Sequence, residues 1–249
     1  MKKKPTPALT QPGTTFIEYF NTGKLDTTKW AVSNGSAPQG GGPSNVGVFS
    51  PANIDMSQGM LGLKLTQSGT VGTSVTSTGA EIHTINSFGY GIYEWVCRAS
   101  STAVVPTAST GSAISGSVTG LFNYYSASTT EIDIEVCGTG VGGVSNTKND
   151  VFLGTWTSED WANDHTSTSV AVSSPEASFF YYKFIWTAGQ VLFYVNDVLK
   201  ATITTDVPSH VAPAFINHWG TDFTGGWGGV ATPGTVRWMW VSMFKFTPS

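Results

Sequence analysis

Runs of alternating aromatic and β-branched residues constrain the fold of this 249-residue chain more than any other feature. Two of these runs, 180–186 and 191–195, are separated by four residues of the kind that close a β-hairpin. A period of two residues places successive side chains on opposite faces of a strand. No window of ten or more residues shows a convincing helical period. The pattern therefore predicts an all-β fold.

Further strands are predicted along most of the chain, at 60–66, 80–84, 90–99, 117–125, 131–137, 198–203 and 212–218. The run 236–246 is apolar on both alternating sets of residues, which is typical of a strand covered on both faces. No repeat or Pro/Gly-rich linker divides the sequence. We predict one antiparallel β-sandwich of the jelly-roll type over residues 15–249, after a flexible lead-in of residues 1–14.

The charge pattern excludes several classes of protein. Only 11% of residues are charged, against about 25% in an average domain, and the net charge is −4. Twelve Lys and Arg residues leave little with which to bind phosphates, so we expect no nucleic acid partner. No apolar run approaches 18 residues, so we expect no membrane span. We also expect the protein to be a monomer. The basic start is followed by a proline-rich segment rather than an apolar one, so no signal peptide is predicted.

The two cysteines, Cys97 and Cys137, leave a disulfide and a pair of free buried thiols equally open.

The sharpest chemical feature is the segment Glu131-Ile132-Asp133-Ile134-Glu135, which we call the carboxylate ladder. On a strand the two isoleucines face the core, and the three carboxylates line the opposite face. With 16 acidic residues in the chain, such spacing is expected by chance only about 0.06 times. Acidic residues are also depleted in strands, and like charges on one face repel. The segment therefore indicates a functional site.

Paired carboxylates at this spacing suit glycoside hydrolysis. Four residues of strand separate the outer Cα atoms by about 13 Å. Inward-leaning glutamates would then bring their carboxyls near the roughly 5–5.5 Å of retaining glycosidases. A third carboxylate between them raises the pKa of a neighbour, as a general acid requires. A solvated acidic face and a cluster of calcium ligands remain the alternatives from the residues alone.

At these residues the sequence resembles glycoside hydrolase family 16, which contains bacterial lichenases and plant xyloglucan endotransglycosylases. The ladder resembles the lichenase form of the family's signature. Other segments resemble family motifs in the family's order, so that the resemblance covers roughly residues 40–246; they are 79–84, 88–94, 116–125, 184–200 and 217–219.

The resemblance implies a curved, concanavalin A-like jelly roll with a saccharide cleft, and retaining, endo-acting hydrolysis of a β-glucan. By position, Glu131 would be the nucleophile, Glu135 the general acid/base and Asp133 an electrostatic helper. The resemblance implies no required cofactor. Family members often hold a structural calcium ion, but no ligand set for one is visible in this sequence. A polysaccharide partner implies a secreted, extracellular protein.

The sequence departs from the family pattern at four places. His83 stands where lichenases carry a sugar-binding arginine, so contacts with sugar at that position are expected to differ. Thr129-Thr130 replaces Trp-Asp before the ladder, which removes an aromatic platform. Val136-Cys137 replaces Phe-Leu after it, a change expected to affect packing alone. Residues 137–178 match poorly. These departures do not change the catalytic residues, but they leave the identity of the substrate undecided.

Further substrate-binding candidates follow from the resemblance: Asn45, Glu81, His83, Phe122, Tyr124, Asn217 and Trp219. Phe122 and Tyr124 share a face of the strand before the ladder, and aromatic faces stack on sugars. For Trp219 the alternative is a core cap, for Asn45 a plain turn residue, and for Glu81 a structural ion pair. We interpret Glu94 and His218 as structural.

The leading hypothesis is an endo-β-glucanase, with mixed-linkage β-1,3-1,4-glucan as the favoured substrate and β-1,3-glucan next. A transglycosylase on β-glucan or xyloglucan is the second enzyme hypothesis. A carbohydrate-binding sandwich without activity is opposed by the intact ladder. The fourth hypothesis is a structural β-protein with a calcium-bound acidic strand.

Overall fold

Seventeen strands run through the part of the chain that the computed structural model describes, namely residues 13–37, 42–138, 150–158, 163–224 and 226–249. The strands are β1 (Phe16–Glu18), β2 (Trp30–Val32), β3 (Gly35–Ser36), β4 (Asn45–Phe49), β5 (Ile54–Asp55), β6 (Leu61–Thr70), β7 (Ser74–Phe88), β8 (Gly91–Ser101), β9 (Ser117–Tyr125), β10 (Thr130–Cys137), β11 (Asp150–Trp156), β12 (His165–Ala171), β13 (Phe180–Thr187), β14 (Gln190–Val195), β15 (Val198–Ile203), β16 (Ala212–Gly220) and β17 (Arg237–Pro248). The predicted all-β class is confirmed. Most of the predicted lead-in, residues 1–12, lies outside the described residues.

Most strands form two antiparallel layers, as a sandwich requires, while β4 pairs with β3 and, in parallel, with the start of β7. The front sheet has the order β12-β11-β10-β9-β16-β7-β2. The back sheet has the order β15-β14-β13-β8-β17-β6-β5, and β1 also pairs with β17. The β6–β7 hairpin joins the two layers. The ladder strand β10 thus lies inside the front sheet, with a neighbour on each side.

The core lies between the two sheets and is rich in aromatic side chains. Leu121 and Ile216 of the front sheet and Tyr93 and Phe184 of the back sheet are all fully buried in it. The rings of Tyr93 and Phe184 stack with centroids 4.5 Å apart. Close packing of this kind fixes the front sheet as a rigid base for the side chains on its other face.

The last strand, β17, is covered on both faces over its middle, as the sequence predicts. Met239, Trp240 and Val241 are consecutive and fully buried. The Trp240 indole donates a hydrogen bond to the carbonyl of Ala103, in the loop that follows β8. That loop therefore covers the outer face of β17.

Most predicted strands are confirmed with small shifts at their ends, and 117–125 and 198–203 are confirmed without any. Segment 80–84 is only the middle part of the long strand β7. Seven strands were missed from the sequence. Five are the short strands β1–β5 near the start of the chain, and the others are β11, whose residues are all buried, and β12, which is rich in Ser and Thr. Cys97 and Cys137 are both buried and free, which resolves the alternative that the sequence left open.

Candidate active site

The carboxylate ladder occupies β10, and its two faces separate as the sequence predicts. Ile132 and Ile134 are fully buried in the core between the sheets. Glu131, Asp133 and Glu135 lie on the other face and line a cavity of about 930 Å³. Because β10 pairs with β9 on one side and β11 on the other, the three carboxylates lie at the centre of the front sheet.

The strand register aligns three rows of side chains across the front sheet, with one ladder carboxylate in each row. Directly opposed residues of antiparallel strands share a face, so the members of a row are neighbours. The Glu131 row contains Tyr124, Glu131, Trp156 and His165. The Asp133 row contains His83, Phe215, Phe122, Asp133 and Gly154. The Glu135 row contains Glu81, Asn217, Gly120, Glu135 and Phe152.

Glu135 keeps its proton to a higher pH than an ordinary glutamate does. Burial and the negative charge of Glu131 raise its pKa to about 8. The indole of Trp219 faces Glu135 and lowers that pKa, although its Nε1–H lies outside the geometry of an ordinary hydrogen bond. A carboxylic acid that keeps its proton at pH 7 can act as a general acid.

Asp133 lies between the two glutamates and is only 5% exposed. Burial, and then the charges of Glu131 and Glu135, raise its pKa well above the ordinary aspartate value. A hydrogen bond joins it to Glu131 and raises the pKa further. Asp133 thus holds a proton more tightly than an ordinary aspartate does and is hydrogen-bonded to Glu131.

A second acidic group lies in the cavity lining outside the ladder. The Glu81 carboxylate accepts hydrogen bonds from Ser33 Oγ at 2.6 Å and from Asn217 Nδ2 at 3.0 Å. Burial raises its pKa, and the two hydrogen bonds oppose that rise. Glu81 has no ion pair among the described residues, so the predicted alternative of a structural ion pair is wrong. The Glu81 carboxylate holds the Asn217 amide in place at the cavity wall.

Four more of the predicted binding residues line the cavity, namely Phe122, Tyr124, Asn217 and Trp219. Trp219 packs in a small apolar cluster with Phe152 and Trp156 on the cavity side of the front sheet. It is therefore part of the cavity wall rather than a cap on the core between the sheets.

Two predicted binding residues lie outside the cavity lining. The His83 ring stacks on Phe215 at 4.9 Å, so Phe215 covers one of its two faces. Asn45 begins β4 rather than lying in a loop, and its amide donates to Gly220 O and accepts from Ser77 Oγ. Both side chains pack against or hydrogen-bond to their neighbours, and both lie outside the lining of the described cavity.

The sequence reasoning missed several cavity residues: Phe49, Phe152, Trp156, His165, Phe215, Phe223 and Trp227. Phe215 stacks on Phe122 at 5.0 Å, which extends that aromatic surface across the sheet. The Trp227 ring packs against Phe152 at 4.6 Å. An aromatic residue two positions before Asn217 on a predicted strand was the available signal for Phe215.

Asp222 anchors the loop that carries Phe223 and Trp227. Its carboxylate accepts hydrogen bonds from Ser44 Oγ and Gly72 N, both at 2.8 Å, and from Ala231 N at 3.1 Å. These bonds keep the pKa of Asp222 below its ordinary value. The loop side of the cavity is thus fixed to two other segments of the chain.

The residues interpreted as structural have structural partners. The His218 ring is fully buried between Leu63 O and Ser100 Oγ, and burial lowers its pKa to about 3. Glu94 accepts a hydrogen bond from the Tyr181 hydroxyl and pairs with Lys245 at 2.9 Å. Both interpretations are confirmed.

Within the described ranges, no group of three or more His, Cys, Asp or Glu side chains is arranged to hold a metal ion. A search of the same residues finds no helix long and apolar enough to cross a membrane.

The comparisons with known proteins agree with this geometry. Residues 44–240 match the profile of the glycosyl hydrolases family 16. A β-glucanase of Paenibacillus polymyxa is 28% identical over 178 residues, which are 65% of this chain and 62% of that protein. This chain therefore matches less than two thirds of the length of that curated relative.

Solved structures share the fold across nearly the whole chain. The β-glucanase of Bacillus licheniformis has a TM-score of 0.73 at 23% identity, over 96% of this chain and 100% of that one. The catalytic domain of an endo-1,3-β-glucanase (laminarinase) of Thermotoga petrophila has a TM-score of 0.69 at 15% identity, over 93% of this chain and 95% of that one. A β-sandwich with paired carboxylates facing a cavity has the groups that a glycoside hydrolase needs. The family match is more specific, and this chain belongs to glycosyl hydrolases family 16.

Proposed function

We propose that this protein is a retaining endo-β-glucanase that acts on mixed-linkage β-1,3-1,4-glucan in preference to β-1,3-glucan. The observation that carries the proposal is the carboxylate ladder, in which Glu131 and Glu135 line one cavity and the pKa of Glu135 is raised to about 8. A matched β-glucanase and the shared fold support the substrate class. The lichenase-like form of the ladder supports the mixed linkage. A polymer too large to enter a cell also implies that the protein acts outside it.

The three ladder residues divide the work of a double displacement. In the first step, Glu131 attacks the anomeric carbon and forms a glycosyl–enzyme ester, while Glu135 donates its proton to the leaving oxygen. In the second step, Glu135 takes a proton from water, and the water oxygen displaces Glu131 from the anomeric carbon. Asp133 stabilises Glu131 through their shared hydrogen bond. The glucan product keeps its original anomeric configuration, and both glutamates return to their starting states.

The pKa of Glu135 predicts where activity is lost on the alkaline side. The free enzyme needs the Glu135 proton, so kcat/KM should fall about tenfold per pH unit above a value near 8. The Trp219 indole lowers that pKa, so Trp219→Phe should move the alkaline limb to higher pH. Initial rates measured between pH 5 and 10 for both proteins test this. An alkaline limb that stays in the same place in Trp219→Phe would contradict the assignment of Glu135.

Substrate class and ladder function can be tested together by measuring the release of reducing ends from polymers. Wild type, Glu131→Gln and Glu94→Gln are compared on barley-type mixed-linkage glucan, laminarin and xyloglucan. We expect wild type and Glu94→Gln to cut the mixed-linkage glucan fastest, and folded Glu131→Gln to lose at least about 10³-fold in rate. Glu94→Gln is the matched control, because it makes the same change on a strand of the back sheet.

The remaining results of this assay separate the alternatives. Cleavage of laminarin alone would replace the mixed-linkage preference with a β-1,3-glucanase. Products longer than the substrate when acceptor oligosaccharide is added would indicate a transglycosylase. Wild type that binds glucan but cuts none of the three polymers would overturn the enzyme proposal in favour of a carbohydrate-binding sandwich.

A further inference from the structure

We infer that His165 is a specificity-determining residue, which binds a hydroxyl group of the glucan at the Glu131 end of the cleft while its ring extends the aromatic surface of Trp156. This inference rests on the proposed function, since it names a contact of the same cleft. It is carried by the position of His165 in the strand register, by its stacking and by its accessible, unpartnered Nε2.

The register fixes the position of His165 relative to Glu131. Trp156 lies directly opposite Glu131 on β11, and His165 lies directly opposite Trp156 on β12. Neighbouring strands are about 4.8 Å apart, so His165 lies two strands, or about 10 Å, from Glu131. That distance is about two glucose units, and it places His165 beyond the sugar that reacts. All three side chains line the cavity.

Stacking on Trp156 holds the imidazole in place. The two rings are nearly parallel, with centroids 5.6 Å apart and an interplanar angle of 13°. Gly154 leaves the space that this arrangement needs, because a Cβ at that position would lie 2.5 Å from the Trp156 ring. Since Trp156 is only 6% exposed, it is a fixed support and not a mobile surface residue. The imidazole therefore meets a ligand in a preset orientation.

The imidazole has hydrogen-bonding capacity that the described residues do not use. Neither ring nitrogen of His165 has a hydrogen-bond partner among them, and Nδ1 is shielded from solvent whereas Nε2 is not. A ligand hydroxyl can therefore reach Nε2 without moving the stacked ring. A sugar hydroxyl is both a donor and an acceptor, so it can pair with Nε2 in either tautomer. Glucan hydroxyls are the groups that the proposed substrate brings to this end of the cavity.

Three variants separate the hydrogen bond from the ring. His165→Phe keeps the stack and removes both nitrogens, His165→Gln keeps a polar group and removes the ring, and His165→Ala removes both. Loss of one hydrogen bond is expected to raise KM for the glucan about threefold to tenfold in His165→Phe, with kcat within twofold of wild type. His165→Ala should show a larger rise and His165→Gln a smaller one. His210→Phe, outside the cavity lining, is the matched control and should match wild type.

A binding measurement keeps this test separate from the proposed function. The same His165 changes are made in the Glu131→Gln background, and the Kd for a mixed-linkage tetrasaccharide is measured by titration calorimetry. A Kd that rises threefold to tenfold with His165→Phe supports the inference even if wild type cuts none of the polymers tested. Unchanged KM and Kd in folded His165→Phe and His165→Ala would overturn it, whether or not wild type is active.

Discussion

Sodium azide is expected to rescue Glu131→Ala and Glu135→Ala as two different products, an α-glycosyl azide from the first and a β-glycosyl azide from the second. Without azide, both variants should lose at least about 10³-fold in rate on glucan. The substrate for the rescue is an aryl β-glycoside of a short glucan, whose leaving group needs little help from an acid. The configuration of each product is read by nuclear magnetic resonance of the anomeric proton.

The products differ because the two glutamates act on different steps. Without the Glu131 carboxylate no glycosyl–enzyme forms, and azide attacks the anomeric carbon directly from that side, with one inversion. Without the Glu135 carboxyl, Glu131 still forms the glycosyl–enzyme, and azide displaces it in a second inversion. The net result is an α product in the first case and a β product in the second. The experiment thus assigns the two roles, which the spacing of the ladder alone does not order.

Asp133→Ala is the control for a carboxylate that does not itself bond to the sugar. Its loss should slow the enzyme, and azide should not restore the rate, because no step lacks a nucleophile or a proton donor. If Glu131→Ala gives the β-azide and Glu135→Ala the α-azide, the roles are reversed. If neither variant is rescued although both are folded, the double displacement itself is contradicted.

The ladder could be predicted from sequence because its geometry is local. Strand pleating alone sends Glu131 and Asp133 to one face and Ile132 to the other, whatever the rest of the chain does. The same holds for the strands with clear alternation. Strand β11 escaped prediction because both of its faces are covered, one by the core and one by cavity aromatics such as Phe152, so its sequence has no alternation.

The cleft wall could not be predicted, because it depends on register between strands that are distant in sequence. His165 is 34 positions from Glu131 along the chain and only two strands away in the sheet. Similarly, the placement of His83 depends on Phe215, which covers its ring from the next strand. A match to a family position reports where a residue lies in the chain, whereas its access to the cavity is decided by neighbours that the match does not specify.

Replacing Asp133 by Asn or Glu135 by Gln is expected to stabilise the protein at neutral and alkaline pH while lowering its activity. Both carboxyls have raised pKa values, Glu135 about 8 against an ordinary 4.5. Between pH 4.5 and about pH 8, Glu135 keeps its proton in the folded state and has lost it in the unfolded state. The free energy of unfolding therefore falls as pH rises across this window, by up to about 1.4 kcal/mol per pH unit for each such group.

A neutral amide does not titrate, so it removes this pH dependence of the free energy of unfolding. The variants should therefore exceed wild type in stability most at the pH where this dependence has lowered the stability of wild type most. Glu135→Gln should match wild type near pH 4 and exceed it by roughly 2–4 kcal/mol near pH 8, after allowance for the open cavity beside it. Asp133→Asn should behave in the same direction. Urea denaturation followed at pH 4, 6 and 8 gives the free energies directly.

Asp222→Asn provides a control of opposite sign in the same experiment. Three hydrogen bonds lower the pKa of Asp222, so its carboxylate stabilises the fold above the unfolded-state pKa and loses that effect as pH falls. Its replacement should therefore destabilise the protein at pH 8 and matter less near pH 4. If Asp133→Asn and Glu135→Gln also destabilise the fold at pH 8, the interactions of the ladder with the cleft wall outweigh the burial and charge repulsion that raise its pKa values.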